Sequence, residues 1–227
     1  MNASPANPNL KPDRARQSFL GRLDWNVIRY ALIGLTMLAA AFMAGKSINS
    51  GPGDESSDVS FLREMIAHHL QAVEMSLIIR DRSDEETIQA LSTDILLTQQ
   101  TQVGMMQAWL GNWNVSSFNP KPLMGGNPEA MGMAPRPKVW ELQRLPVKQA
   151  EIQFLQLMIR HHQGAVFMAE DVLKTASSRD VRFLAENIKS TQALEIKNMT
   201  DLLTYRGAKP LEPLPRMTMG DHSEMGK

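Results

Sequence analysis

The string "MIRHHQGAVFM" occupies residues 158–168, and residues 65–75 read almost the same, "MIAHHLQAVEM". The chain has five histidines, and four of them stand in these two adjacent pairs. One shift of 93 residues aligns the two strings and continues without a gap over about 50 residues, pairing Leu91 with Leu184 and Met106 with Met199. The chain therefore contains an internal repeat.

Each copy of the repeat has the pattern of two amphipathic helices. Apolar residues recur three and four positions apart, and the alternation expected of strands is lacking. Ser83 followed by Glu86 is typical of a capping box at the start of a second helix, and Gly207 is typical of a helix stop. We therefore expect an all-α four-helix bundle made of two repeated helical hairpins, 58–111 and 146–206. The predicted helices run from about 58 to 80, 83 to 111, 146 to 176, and 177 or 178 to 206.

Three segments rich in Gly, Pro, Ser or Asn separate the predicted parts of the chain. Residues 46–57 are a polar linker before the bundle. A Met/Gly/Pro linker joins the hairpins and carries Met124, Met131 and Met133. Residues 207–227 form a Met/His tail.

The long apolar segment, Trp25 to Gly45, predicts a membrane anchor. Counted from Trp25 it has about 21 residues, enough to cross a bilayer as a helix, and Arg29 lies near its inner end. Five basic residues against two acidic ones in residues 1–29 predict a cytoplasmic tail, 1–24, with the rest of the chain outside the cytoplasm. We therefore expect a single-pass cell-membrane protein. The alternative is a cleaved signal peptide, with "AAA" at 39–41 as the cleavage site.

Composition excludes several classes of function. The formal net charge is zero, so nothing indicates a nucleic-acid partner, which would require a basic surface. Cysteine is absent, which excludes disulfides, thiolate metal sites and a cysteine nucleophile. Methionine is abundant, with 16 residues. Because methionine commonly fills protein cores, abundance alone does not indicate metal binding, and the position of each methionine must be considered.

A helical wheel places the histidine pairs toward the interior. His68 and His69 straddle the face that carries Met65, and the small Ala72 leaves space beside them. The third predicted helix repeats this arrangement. The matching inward faces of the second and fourth helices carry Gln99, Gln102, Met106 and Leu110, and Gln192, Glu195, Met199 and Leu203. If the four faces meet, four imidazoles and at least two thioethers converge.

This set of side chains indicates a copper site. Imidazole binds copper, zinc, nickel and iron, whereas the soft thioether selects monovalent copper or silver. We therefore expect copper, with the monovalent ion favoured and another transition metal as the alternative. The competing explanation is a core that duplication copied. The further candidate ligands, beyond the histidine pairs and the methionines that flank them, are Met106, Met199, Met217, Met219, His222 and Met225.

The residues quoted above also resemble a known family. "FLREMIAHHLQAVEM", "FLQLMIRHHQGAVFM" and the later "TQALEIKNMTDLL" are similar to the domain-of-unknown-function 305 family, over roughly 57–207. The resemblance implies a ferritin-like helical fold, export, and copper binding of the kind found in periplasmic members. This chain departs from the usual pattern at Gln102, where the fourth helix has Glu195. The metal set that the resemblance implies is His68, His69, His161, His162, Met65, Met75, Met158 and Met168.

These observations predict a non-catalytic copper-binding protein, anchored in the membrane by one N-terminal helix, that sequesters or relays the metal outside the cytoplasm. One alternative is a structural or accessory subunit that binds a protein partner in a membrane complex, with the His/Met faces serving only as core. Another is a ferritin-like redox enzyme. Against the enzyme, Glu64 and Glu74 correspond to Leu157 and Phe167, so the repeat does not retain paired carboxylates.

Overall fold

The computed structural model describes residues 51–118 and 127–216, and all regular structure in these ranges is helical. The expected all-helical class is therefore confirmed. Between the two long hairpins, the described residues form a short helix and a 3-10 turn. In chain order the helices are α1 Ser57–Arg82, α2 Glu86–Asn112, the 3-10 helix Pro128–Met131, α3 Arg136–Glu141, α4 Val147–Val172 and α5 Arg179–Tyr205.

The two hairpins meet through α1 and α4. Each long helix packs against its hairpin partner, and α1 also packs against α4. The buried apolar side chains form two clusters, of which one contains Met65 of α1 with Met168 of α4, and the other Met75 of α1 with Met158 of α4. Since the early part of α1 lies beside the late part of α4, the two helices are antiparallel. The 93-residue shift of the repeat therefore relates each cluster to the other: Met65 in the first corresponds to Met158 in the second, and Met75 in the second corresponds to Met168 in the first.

A buried carboxylate near the start of each histidine-bearing helix holds the opposite hairpin. Asp58 on α1 is 1% exposed and accepts hydrogen bonds from Ser177 N (3.0 Å), Ser177 Oγ (2.9 Å) and Ser178 N (2.9 Å), just before α5. Its counterpart Glu151 on α4 is fully buried and accepts a hydrogen bond from Ser83 Oγ at 2.7 Å. Buried charged groups require such partners. Because each carboxylate and its serine partners lie in different hairpins, these contacts hold the two hairpins together.

The predicted capping box at Ser83 and Glu86 is wrong. Helix α1 continues to Arg82, so Ser83 ends α1, and α2 begins at Glu86 without a side-chain cap. The Ser83 hydroxyl donates to Glu151 and accepts from Glu85 N at 3.1 Å. A buried acid that is distant in the sequence thus determines the role of this serine.

The other helix boundaries lie close to the predicted ones, with one exception at the end of α4. Ser178 caps α5, its hydroxyl accepting from Val181 N at 3.4 Å, and Gly207 follows α5 with a φ of 69°. Helix α4 starts after Pro146 but ends at Val172, about one turn before the predicted residue 176. The linker contains helical turns, which its irregular composition did not indicate.

The predicted anchor at 25–45, the tail at 1–24 and the alternative cleavage site lie outside the described residues. Within 51–118 and 127–216, none of the helices combines the length and the apolar character needed to cross a bilayer.

Candidate metal centre

The four paired histidines lie side by side across the contact between α1 and α4. None of the four is exposed to solvent. The ring centroids of His68 and His161 are 3.7 Å apart, which is van der Waals contact. The centroids of His68 and His69 are 6.5 Å apart, and those of His161 and His162 are 6.3 Å apart. The fold therefore joins the two pairs that stand 93 residues apart in the sequence.

Each imidazole uses its Nε2 atom in one hydrogen bond, and the partner is an oxygen in every case. Backbone carbonyl, amide and carboxylate oxygens only accept, so Nε2 carries the proton in each neutral ring. The Nδ1 atom then keeps its lone pair. The four contacts are His68 to Met131 O (3.0 Å), His69 to Gln102 Oε1 (2.7 Å), His161 to His68 O (2.9 Å) and His162 to Glu195 Oε2 (2.7 Å).

The four Nδ1 atoms are buried and have no hydrogen-bond partner. Ser76 Oγ, both polar side-chain atoms of Gln99 and Gln192 Oε1 share this condition. Across 51–118 and 127–216, these residues hold all the unpartnered buried side-chain nitrogen and oxygen atoms. Such atoms are rare in folded proteins because each lacks the compensation for leaving water. Their concentration on the inward faces of the helices makes these faces the candidate binding site.

Burial keeps His68, His69 and His161 neutral. Desolvation, reinforced by the neighbouring His69, lowers the pKa of His68 to about 3. Desolvation also lowers the pKa of His69 to about 4, although the hydrogen bond to Gln102 opposes it. The pKa of His161 is lowered well below its usual range by burial and then by His68. Protons therefore do not compete with a metal for these lone pairs near neutral pH.

The six candidate methionines of the helices flank the histidines in two groups of three. All six are buried, and the repeat exchanges one group for the other. The first group lies in the cluster at the start of α1 and the second in the cluster toward its end. The first group is Met65, Met106 and Met168, and the second is Met75, Met158 and Met199.

The linker between the hairpins covers one side of the histidine layer. The Met131 carbonyl accepts the His68 hydrogen bond, and the Ala134 backbone is held by the Gln71 side chain, with Ala134 N donating at 2.7 Å and Ala134 O accepting at 2.9 Å. Gln71 corresponds in the repeat to Gly164. A Cβ at Gly164 would overlap the carbonyl oxygen of Met131. The repeat therefore departs from symmetry where the linker passes.

The linker also makes the two ends of the site chemically unequal. Met131 and Met133 are half-buried and pack against the cluster that holds Met65. The sequence shows both as methionines of the linker, but it did not predict that they pack against this cluster. Among the described residues, the cluster with Met65 thus includes or contacts five methionines, whereas the cluster with Met75 includes three.

The imidazoles adjoin one another without surrounding a single point. In the part of the chain that the structure describes, no three His, Asp or Glu side chains converge as a ready metal site. A metal held here would therefore take imidazole and thioether ligands together, or occupy separate half-sites. The predicted tail ligands Met217, Met219, His222 and Met225 lie outside the described residues.

Comparisons with known proteins agree on the family. The model of the family described as "Domain of unknown function (DUF305)" matches residues 58–203. A DUF305 protein of Streptomyces coelicolor is 40% identical, over 70% of this chain and 99% of its own, with a TM-score of 0.67. A DUF305 fragment of Deinococcus radiodurans is 39% identical, over 68% of this chain and 99% of its own, with a TM-score of 0.62.

A more distant structure has the same fold. CopM in its Cu(I)-bound form is 22% identical, over 66% of this chain and 96% of its own, with a TM-score of 0.53. A search of curated proteins gives no match.

Proposed function

The chain belongs to the DUF305 family, and from its buried histidine layer we propose that it binds copper as cargo, outside the cytoplasm, for sequestration, tolerance or relay. The observation that carries this proposal is the set of four Nδ1 lone pairs, buried and unpartnered, each fixed by an Nε2 hydrogen bond to oxygen. Metal-binding histidines characteristically hold their second nitrogen in this way. His68, His69, His161 and His162 are the proposed imidazole ligands.

The flanking thioethers favour the monovalent ion. Soft sulfur binds Cu(I) in preference to harder divalent ions, and the chain has no thiolate to compete with it. Met65, Met75, Met158 and Met168 are the proposed partners of the histidines, with Met106 and Met199 behind them. CopM, which shares the fold, has been solved in a Cu(I)-bound form, and this likeness is consistent with the same cargo.

The proposed location is outside the cytoplasm, on a single N-terminal anchor. The apolar segment 25–45 and the basic residues before it support this orientation. The Streptomyces relative is named as a candidate secreted protein, which agrees with export. We therefore propose that the chain contacts a membrane and binds metal ions. We propose no nucleic-acid partner.

We infer binding without catalytic turnover. A ferritin-like redox centre uses several inward carboxylates, each close to a histidine. Among the described residues, Glu195 is the only acid hydrogen-bonded to one of the four histidines. An environment of imidazole and thioether suits holding a soft cation more than activating oxygen.

The decisive experiment is a titration of the full-length chain with Cu(I) in the presence of a competing chelator, beside a variant with His68, His69, His161 and His162 changed to alanine. We expect the variant to lose the high-affinity Cu(I) binding of the wild-type chain. Equal affinity in both proteins would refute the histidine site. Because buried substitutions can unfold the chain, circular dichroism of the metal-free variant is the required control.

One observation favours the second candidate, an accessory subunit with a protein partner. A surface groove between α2 and α5 exposes large apolar side chains, with Leu97 59% and Phe183 71% exposed. Exposed apolar grooves often mark contacts with other proteins. If neither the wild type nor the histidine variant takes up copper, this candidate replaces the metal-binding proposal.

A further inference from the structure

A small cavity lies at the surface between α1 and α4, beside the cluster that contains Met65. Its volume is about 80 Å³, and two methionines, Met131 and Met168, line it. A cavity needs about 10–15 Å³ to hold one water molecule, whereas pockets for small organic ligands have volumes of about 300–1,000 Å³. The space therefore suits an ion or a few water molecules.

Met131 connects this cavity to the histidine layer. Its carbonyl oxygen accepts the hydrogen bond of His68 Nε2 at 3.0 Å, and the same residue lines the cavity. The linker backbone is held close to α4 at this point. A Cβ at Gly132, where φ is 80°, would lie 2.1 Å from the carbonyl oxygen of Arg160, and one at Gly164 would lie 1.7 Å from that of Met131. Because its backbone is fixed, Met131 is positioned before any ion binds.

The methionines continue from the cavity toward the interior. Met168 is 6% exposed and Met65 is completely buried, and both belong to the cluster against which the half-buried Met131 packs. On α1, Met65 directly follows Glu64, which lines the cavity, and lies about 4.5 Å along the helix axis before His68. The exposure of the sulfur-bearing residues therefore decreases from the surface to the histidines.

The pseudo-symmetric end of the fold, beside Met75, is covered by the linker. In the repeat, Arg82 corresponds to Thr175, which lines the cavity. The Arg82 guanidinium donates hydrogen bonds to the carbonyl oxygens of Leu142 and Leu145, the second at 2.6 Å. Leu142 is completely buried in the cluster with Met75. The linker therefore closes this end and leaves the cavity at the other.

The lining of the cavity favours a soft monovalent cation over a hard one. Hard cations such as Ca²⁺ take about six to eight oxygen ligands. The cavity offers two carboxylates, Glu64 and Asp171, and that of Asp171 is already paired with Lys174 at 2.6 Å. None of the described residues that line the cavity is basic, so their charge does not oppose an arriving cation. Thioether sulfur then selects Cu(I) or Ag(I).

We propose that Met131 and Met168 form an outer site for a monovalent soft cation in this cavity, and that the ion passes from there along Met65 to the histidines. The inference rests on the proposed function and deepens it, because it identifies where the metal enters and gives a linker residue the role of a ligand. Entry occurs at one end of the fold, although the sequence repeat is symmetric.

The test measures by stopped-flow absorbance how fast the full-length chain takes up Cu(I) from a coloured chelator complex. M131L preserves the side-chain volume and the carbonyl that holds His68. It should load about tenfold more slowly, because one of the two thioethers of the outer site is lost, while the equilibrium affinity of the histidine layer stays near that of the wild type. M133L is the matched control, since Met133 lies in the same linker and packs against the same cluster without lining this cavity. It should load at the wild-type rate.

Carbon-13 NMR of the methionine methyl groups gives a second readout. The Met131 signal, assigned by its loss in M131L, should shift when an excess of Ag(I) is added to the wild-type chain, together with that of Met168. Equal loading rates of M131L and M133L, or a Met131 signal that Ag(I) does not move, would overturn the proposal. Failure of the histidine site is distinguishable, because the variant without the four histidines then keeps the wild-type affinity while Ag(I) still shifts the Met131 signal.

Discussion

Glu195 accepts a hydrogen bond from His162 at 2.7 Å, and in the other half of the repeat Gln102 accepts one from His69 at the same distance. The geometry is conserved between the two halves, but the charge of the acceptor is not. A carboxylate makes the imidazole a stronger base than an amide does, so the two half-sites differ in ligand strength.

The first prediction concerns this acid. E195Q should keep the hydrogen bond, remove the charge and weaken Cu(I) binding by about 10-fold, within the range known for such supporting residues. The reciprocal Q102E, which gives the first half the acid of the second, should not weaken it. A competition titration with a Cu(I) chelator measures both. Unchanged affinity in E195Q would show that the acid only supports the fold.

The second prediction separates thioether ligands from core packing. The double variants M65L/M168L and M75L/M158L preserve side-chain volume. Each single substitution in them should therefore lower the free energy of unfolding by less than about 1.5 kcal/mol. If the sulfur atoms bind metal, each pair should lower Cu(I) affinity by more than about tenfold. The exposed M105L is the control. Variants that bind as tightly as the wild type would assign these methionines to the core alone.

The third prediction concerns Gly164, which touches the linker. G164A should lower the unfolding free energy by about 1–3 kcal/mol, because the new Cβ displaces the Met131 carbonyl that holds His68. G104A is the matched control. It lies in α2 with open space around it, so replacing glycine within a helix should stabilise the protein by about 0.5–1 kcal/mol. Urea denaturation of both variants checks the difference, and a stable G164A would contradict the tight contact.

The fourth prediction is a loss of stability of the metal-free protein in mild acid. His68 and His69 have pKa values of about 3 and 4 in the fold against 6.5 when unfolded. The unfolded chain therefore takes up protons that the folded chain refuses, and stability falls as the pH drops from about 6.5 toward 4. At pH 5 each of the two histidines lowers the free energy of unfolding by about 2 kcal/mol relative to its value at neutral pH. H68Q/H69Q should show a shallower pH dependence by urea denaturation; parallel curves would contradict the assignment.

The fifth prediction addresses the contact between the hairpins. D58A leaves the backbone N–H groups of Ser177 and Ser178 and the hydroxyl of Ser177 without their acceptor. It should therefore lower the free energy of unfolding by at least about 2 kcal/mol. Asp84 is exposed in the corresponding loop of the other hairpin, and D84A should change stability by less than about 0.5 kcal/mol. Thermal unfolding compares the two, and equal transition temperatures would exclude the proposed role of Asp58.

The sequence by itself determined the repeat, the four long helices and the inward position of both histidine pairs. Those features depend on local periodicity, and a helix of 3.6 residues per turn places its residues on faces without reference to the rest of the chain. The helix ends were accurate where a local cap operates, as at Ser178. The end at Ser83 was not, because its partner Glu151 lies 68 residues away.

Only the tertiary structure decided how the site is built. It brought the His68 and His161 rings into contact, fixed each Nε2 on an oxygen, and divided the methionines into two groups. It also placed the linker against Gly164, so that one side of a symmetric repeat became different from the other. These results depend on contacts between residues distant in the sequence, which burial and hydrogen-bond satisfaction select only when the whole chain has packed.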